Sequence, residues 1–139
     1  LTADHPQASS SERQIDLAIP RTVRGHKAFH TRYGRGQCDL FGVLHAMSLM
    51  CAECGYCQGM GPLAAMLLMH MPASDALRVM QRMHDVYGFH ELFRPGFPGL
   101  RAEFYVLSQL LDALVPRMAQ ALAQAGLAPS AYATSWLLT

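Results

Sequence analysis

Charge is scarce in this sequence. Asp, Glu, Lys and Arg make up 15% of 139 residues and leave a formal net charge of +1, so the whole-molecule field gives no reason to expect nucleic acid or an anionic membrane surface as partner. Long apolar runs are missing as well. The longest uninterrupted one, Leu63 to Met69, is closed by His70 and falls far short of the roughly 20 residues that cross a bilayer. The first residues lack the charged start, apolar block and small-residue cleavage site of a secretory signal, so a soluble, cytoplasmic setting is the expectation. Alternation of the β type and internal repeats are absent, which argues against sheet and solenoid architectures. No Ser-His-Asp or paired-carboxylate arrangement can be argued from the spacings, which removes the commonest hydrolytic chemistries.

What is present is apolar content, 51% of the chain, enough for one substantial core. It is arranged with helical period. Leu40, Phe41, Leu44, Met47, Ser48 and Cys51 recur at three- and four-residue steps and share one face of a helix over Cys38 to Ala52, with Gly34 and Gly36 marking its approach. A second helix is expected from about Pro62 to Met71, apolar nearly all round and hence central. Ser74 with Asp75 reads as the cap and acidic first turn of a third, running to a stop at Gly88. "FRPGFPGL" reads as a rigid connector. From about Leu100 to Ala125 the leucines support one long helix or two with Pro116 as the break, and "SAYATSWLLT" starts another. Residues 1–14, carrying Pro6 and Ser9 to Ser11 and little apolar content, are expected as a flexible lead-in, with the ordered domain over 15–139.

The few cysteines also narrow the chemistry. Cys51, Cys54 and Cys57 fall at C-x-x-C-x-x-C spacing, but a zinc site needs a second pair of ligands and the only other thiol, Cys38, lies a helix away. The expectation is therefore structural thiols and no metal, free cysteine being commonly buried as a small hydrophobe. His45, His70 and His84 lie in helical segments and read as structural histidines.

Two local features remain. Six of the eleven cationic residues, Arg13, Arg21, Arg24, Lys27, Arg32 and Arg35, crowd one stretch against the single acid Asp16. And "GYCQGM", Gly55 to Met60, sets Gln58 before Gly59 at the entrance to an apolar helix. By themselves these residues leave ordinary readings open. Arg21 after Pro20 is compatible with a plain surface residue, Thr22 and Gln58 with helix caps, and Tyr56 with a packed ring that donates one hydrogen bond.

Taken together, "IDLAIPRT" (Ile15 to Thr22) and "GYCQGM" resemble the I-x-x-D-x-x-R-T and Y-x-Q-G-M motifs of the TBC domain of Rab GTPase-activating proteins, and "FPGL" and "YATSWLLT" echo it further on. The likeness covers Ile15 to Thr139. It implies an all-α, TBC-like helical domain, here its N-terminal part, incomplete at the C-terminus because the family's domain continues beyond Thr139. It also implies a Rab-family GTPase in its GTP state as partner and hydrolysis hastened by two residues supplied in trans, Arg21 and Gln58. Thr22, Tyr56, Gly59 and Arg24 are the expected partner contacts. GTP and Mg2+ would be carried by the partner, the chain having no cofactor of its own, and recruitment to membranes would follow the partner.

Departures from the family pattern accompany the likeness. Ala18 stands where the family has an aspartate, and alanine cannot hold an arginine by charge-assisted hydrogen bonds. Asp16 is the nearest candidate substitute. Gly61 stands in place of asparagine and Leu137 in place of an aromatic residue, and the family's earlier tryptophan motif is missing.

Overall fold

The computed structural model describes residues 6–138, with side chains from Ser11 onward. Every regular element among them is a helix: α1 (Pro6–Ala18), a single 3-10 turn (Ile19–Arg21), α2 (Arg35–Met50), α3 (Met60–Leu68), α4 (Ala73–Val86), α5 (Phe89–Phe93), α6 (Pro98–Leu114), α7 (Pro116–Gln124), α8 (Pro129–Tyr132) and α9 (Thr134–Leu138). None is long and apolar enough to cross a membrane.

The period-derived face of α2 forms the centre. Leu40, Leu44, Met47 and Ser48 are buried there together with Val43, and α1, α3 and α4 pack around the helix. Met60, Ala64 and Ala65 from α3, Met80 from α4 and Ile15 and Ile19 from the N-terminal side complete the core. Burial of each large side chain stabilises by about 1.5–3 kcal/mol, so α2 is the element whose loss would dismantle the rest. By contrast, α7 buries no residue and α6 buries only Leu100.

The expected lead-in is not borne out over residues 6–14, which belong to α1; residues 1–5 lie outside the described ones. Composition misled because the anchors sit at the helix's far end. Ile15 and Ala18 are buried against the core and Glu12 Oε1 lies 3.0 Å from His45 Nε2. Once those contacts fix the last turns, helix extends backward at one hydrogen bond per residue added. Ser74 is likewise not a cap. Extended Pro72 takes that position, and its carbonyl accepts from the Asp75 and Ala76 N–H groups. The connector is shorter than expected, since α5 ends at Phe93 and α6 begins at Pro98; Gly96 and Phe97 turn the chain with positive φ. The break expected at Pro116 is there, separating α6 from α7.

What positions the functional region is the irregular stretch 22–34. Phe29 is fully buried and pins its middle, while Gln37, itself buried at the start of α2, donates from Nε2 to the Phe29 carbonyl (2.7 Å) and accepts from the Tyr33 N–H (3.1 Å). An amide is suited to this role because one side chain can donate and accept at once.

Candidate functional site

Arg21 ends the 3-10 turn, between buried Ile19 on one side and the Phe29-anchored loop on the other. The side chain is exposed, and its Nε donates to the Leu17 carbonyl at 3.1 Å. No carboxylate pairs with it or with exposed Arg24 among the described residues. The other cations of the basic stretch are partly occupied. Arg32 is bound to Asp16 at 3.0 Å and lies over the Tyr33 ring at 4.1 Å, and Arg35 is 3.7 Å from Asp39. Asp16 therefore does not substitute for the carboxylate missing at Ala18, because Arg32 has taken it. Ala18 contributes through its backbone, its carbonyl accepting from both the N–H and the Oγ1 of Thr22 at 3.1 and 3.0 Å.

The second strand of the site is the turn from Gly55 to Gly59. Gly55 has φ +55°, a conformation that favours glycine, and Gln58 emerges exposed just before α3. The Gln58 carbonyl accepts from the Gly61 N–H at 3.3 Å. Three of the expected residues meet at Gly61. A Cβ built there would lie 3.3 Å from Thr22 Oγ1 and 3.5 Å from the Tyr56 hydroxyl, so glycine at this position lets the Arg21 turn and the Gln58 turn pack together. Charge reports the same closeness. Burial raises Tyr56 above its ordinary value, Cys57 adds to the rise, and the Arg21 guanidinium opposes it. Burial also raises Cys57, opposed by a hydrogen bond from the Gly59 backbone. Arg21 and Gln58 are thus both exposed, on turns that touch through Thr22, Gly61 and Tyr56.

Among the expected partner contacts, Arg24 is open to solvent and Thr22 is half-buried. Gly59 is not open. It is buried, and a Cβ built there would lie 3.3 Å from the Leu138 side chain of α9. The Tyr56 hydroxyl is buried and, among the described residues, lacks the hydrogen bond expected for it. A buried hydroxyl left unpaired costs about 1–3 kcal/mol, so Tyr56→Phe is expected to raise stability by about 1 kcal/mol, read as a higher Tm in thermal denaturation. A lowered Tm would mean that the hydroxyl has a partner within the fold. Of the histidines expected to be structural, His45 meets Glu12 and His70 is exposed. Gln37 is the residue of this region that sequence reasoning missed, since an amide in the polar first turn of a helix, between Arg35 and Asp39, carries no signal of burial.

Comparison with known proteins identifies the family. A TBC domain-containing protein of Schizosaccharomyces pombe is 41% identical over 126 residues, covering 91% of this chain and 30% of that protein. The Rab GTPase-activating protein tbc-11 of Caenorhabditis elegans is 36% identical over 133 residues, 96% of this chain and 14% of its own length. TBC1 domain family member 4 of Mus musculus is 34% identical over 133 residues, 96% of this chain and 10% of its own length. The chain therefore spans less than a third of each of these relatives. The family model of the Rab-GTPase-TBC domain matches residues 2–139, and the chain belongs to that family.

Proposed function

We propose that this chain carries the finger-bearing part of a GTPase-activating protein for a Rab-family GTPase, acting on its GTP-bound state. The observation that carries the reading is an exposed arginine with no carboxylate partner among the described residues, packed through Tyr56 and Gly61 against the turn that exposes Gln58. Hydrolysis of GTP passes through a loose transition state with negative charge spread over phosphoryl oxygens. A planar, permanently charged guanidinium stabilises it without covalent chemistry. The attacking water needs an amide that donates to one partner and accepts from another, the role proposed for Gln58. Nucleotide and Mg2+ belong to the partner, and any attachment to vesicle membranes would come through it.

One observation favours a second reading, a module that binds the GTPase and turns it over weakly. Among the described residues the one hydrogen bond on Arg21 is a single bond from Nε to the Leu17 carbonyl, whereas a carboxylate would accept two parallel bonds from the guanidinium and face it with opposite charge. The guanidinium is then less firmly aimed than a carboxylate at position 18 would make it. Single-turnover GTP hydrolysis across a panel of Rab proteins, with binding to the GTP form measured in parallel, decides between the two. Acceleration of at least one Rab is expected; binding without acceleration selects the weak module, and no binding to any Rab removes both.

A further inference from the structure

The second pair of ligands that the sequence withheld from Cys51 and Cys54 is supplied by two histidines. The α4 helix runs back along α2 and brings His84 to the Cys51–Cys54 turn, and α5 adds His90. One potential ligand atom from each of Cys51, Cys54, His84 and His90 lies within 4.8 Å of all the others. We propose that these four side chains form a structural zinc site.

The geometry is close to a tetrahedron. With Zn–S at about 2.3 Å and Zn–N at about 2.0–2.1 Å, the sulfur-to-nitrogen edges of a tetrahedral site should be about 3.6 Å. Here Cys54 Sγ lies 3.6 Å from His84 Nε2 and 3.5 Å from His90 Nδ1, and Cys51 Sγ lies 3.7 Å from His90 Nδ1. The two nitrogens are 3.0 Å apart, close to the nitrogen-to-nitrogen edge of about 3.3 Å. The remaining pairs, Cys51 Sγ with Cys54 Sγ and with the His84 nitrogen, are no more than 4.8 Å apart and close to tetrahedral edges of about 3.6–3.8 Å with a shift of about 1.2 Å or less. Spacing agrees as well: C-x2-C for the thiols and H-x5-H for the imidazoles are both within the range of structural zinc sites.

The surroundings orient the ligands. Asp85 Oδ1 lies 2.7 Å from His84 Nδ1 and accepts its proton, which leaves Nε2 as the lone pair facing the thiols. Glu53 Oε2 lies 3.5 Å from His90 Nε2, leaving Nδ1 for the same centre. A carboxylate on the far nitrogen of a ligating histidine is the usual support for a metal. The Cys54 N–H also donates to Cys51 Sγ at 3.3 Å, a contact that favours thiolate. Two thiolates balance the charge of one divalent ion, and a set of two sulfurs and two imidazoles with tetrahedral edges suits zinc over magnesium or calcium. Zinc here would tie the turn that leads into Gln58 to α4 and α5.

The purified protein is expected to carry one zinc per chain by atomic emission. Stripped of metal and titrated with cobalt(II), it should develop the intense visible bands of a tetrahedral thiolate-imidazole site, saturating at one equivalent and bleached by zinc. Cys54→Ser and His84→Ala should each weaken binding at least about tenfold, and Asp85→Asn about 10- to 100-fold. Cys38→Ser, away from the cluster, should change nothing. The proposal is overturned if cobalt(II) gives only the weak spectrum of the hydrated ion, a result that does not depend on any variant folding. It is equally overturned if stoichiometric metal survives in soluble Cys54→Ser and His84→Ala proteins. Because the readout is the metal, failure here leaves the GTPase reading untouched.

Discussion

Arg21→Ala is expected to slow stimulated hydrolysis on a responsive Rab by about 10³- to 10⁵-fold, the range that trans-acting arginines contribute, which corresponds to roughly 4–7 kcal/mol of barrier. The side chain is exposed and its one hydrogen bond among the described residues is local, so the variant should fold as the parent does and bind the GTP form with nearly unchanged affinity. The loss should therefore lie in the rate of the chemical step. Arg21→Lys should recover little, because an ammonium is a point charge without the planar fork that meets two phosphoryl oxygens at once. Gln58→Ala, which on the proposed reading removes water orientation, should cost on the order of 10²-fold. The double variant should be slower than either by much less than the product of the two effects, since the groups act as one unit. A parent that accelerates hydrolysis, together with an Arg21→Ala variant losing less than tenfold, would sink the finger assignment while leaving the family membership intact.

How much of this could be read beforehand depends on distance along the chain. The α2 face was legible in Leu40, Leu44 and Met47 because one helix carries its own period, and the break at Pro116 was legible because proline acts on its immediate neighbours. The two proposed finger residues came from motif resemblance; composition gave only a basic stretch. What stayed hidden were the interactions closed by tertiary packing. The start of α1 is held through Ile15 and the Glu12–His45 contact, which no local count of apolar residues reveals. The Ser74 cap lost to Pro72, whose backbone was already extended and presented its carbonyl to the first turn. Cys54 and His84 are thirty residues apart, and only the return of α4 along α2 puts them in contact. The Ala18 departure was visible in sequence, but its consequence was not: the spare acid, Asp16, is committed to Arg32.

Gly36 supplies the second large effect, because sequence and structure predict opposite signs for Gly36→Ala. Gly36 lies in the first turn of α2, where alanine has the better intrinsic propensity by about 1 kcal/mol, so the substitution would be chosen as a stabilising one. In the fold, a Cβ at this position would overlap the Ala28 carbonyl oxygen, with the Ala28 carbonyl carbon at 3.0 Å and the Phe29 ring at 3.2 Å. A backbone carbonyl cannot rotate away as the end of a flexible side chain does. Relief requires moving the 28–29 segment, which is pinned by buried Phe29 and by the Gln37 hydrogen bond to its carbonyl. Overpacking of this kind costs about 1–3 kcal/mol, and the loss of that buried hydrogen bond adds a further contribution of about 1 kcal/mol or more, together exceeding the propensity gain. Gly36→Ala is expected to lower stability by about 2 kcal/mol or more, lowering Tm by several degrees. Because 22–34 is the loop that fixes the exit of the Arg21 turn, stimulated hydrolysis should fall with it, whereas Gly42→Ala in the same helix, with open space around its Cβ, should be neutral or stabilising. A Gly36→Ala protein as stable as the parent would mean that the loop is not locked against α2, and with it would go the physical basis for a fixed Arg21.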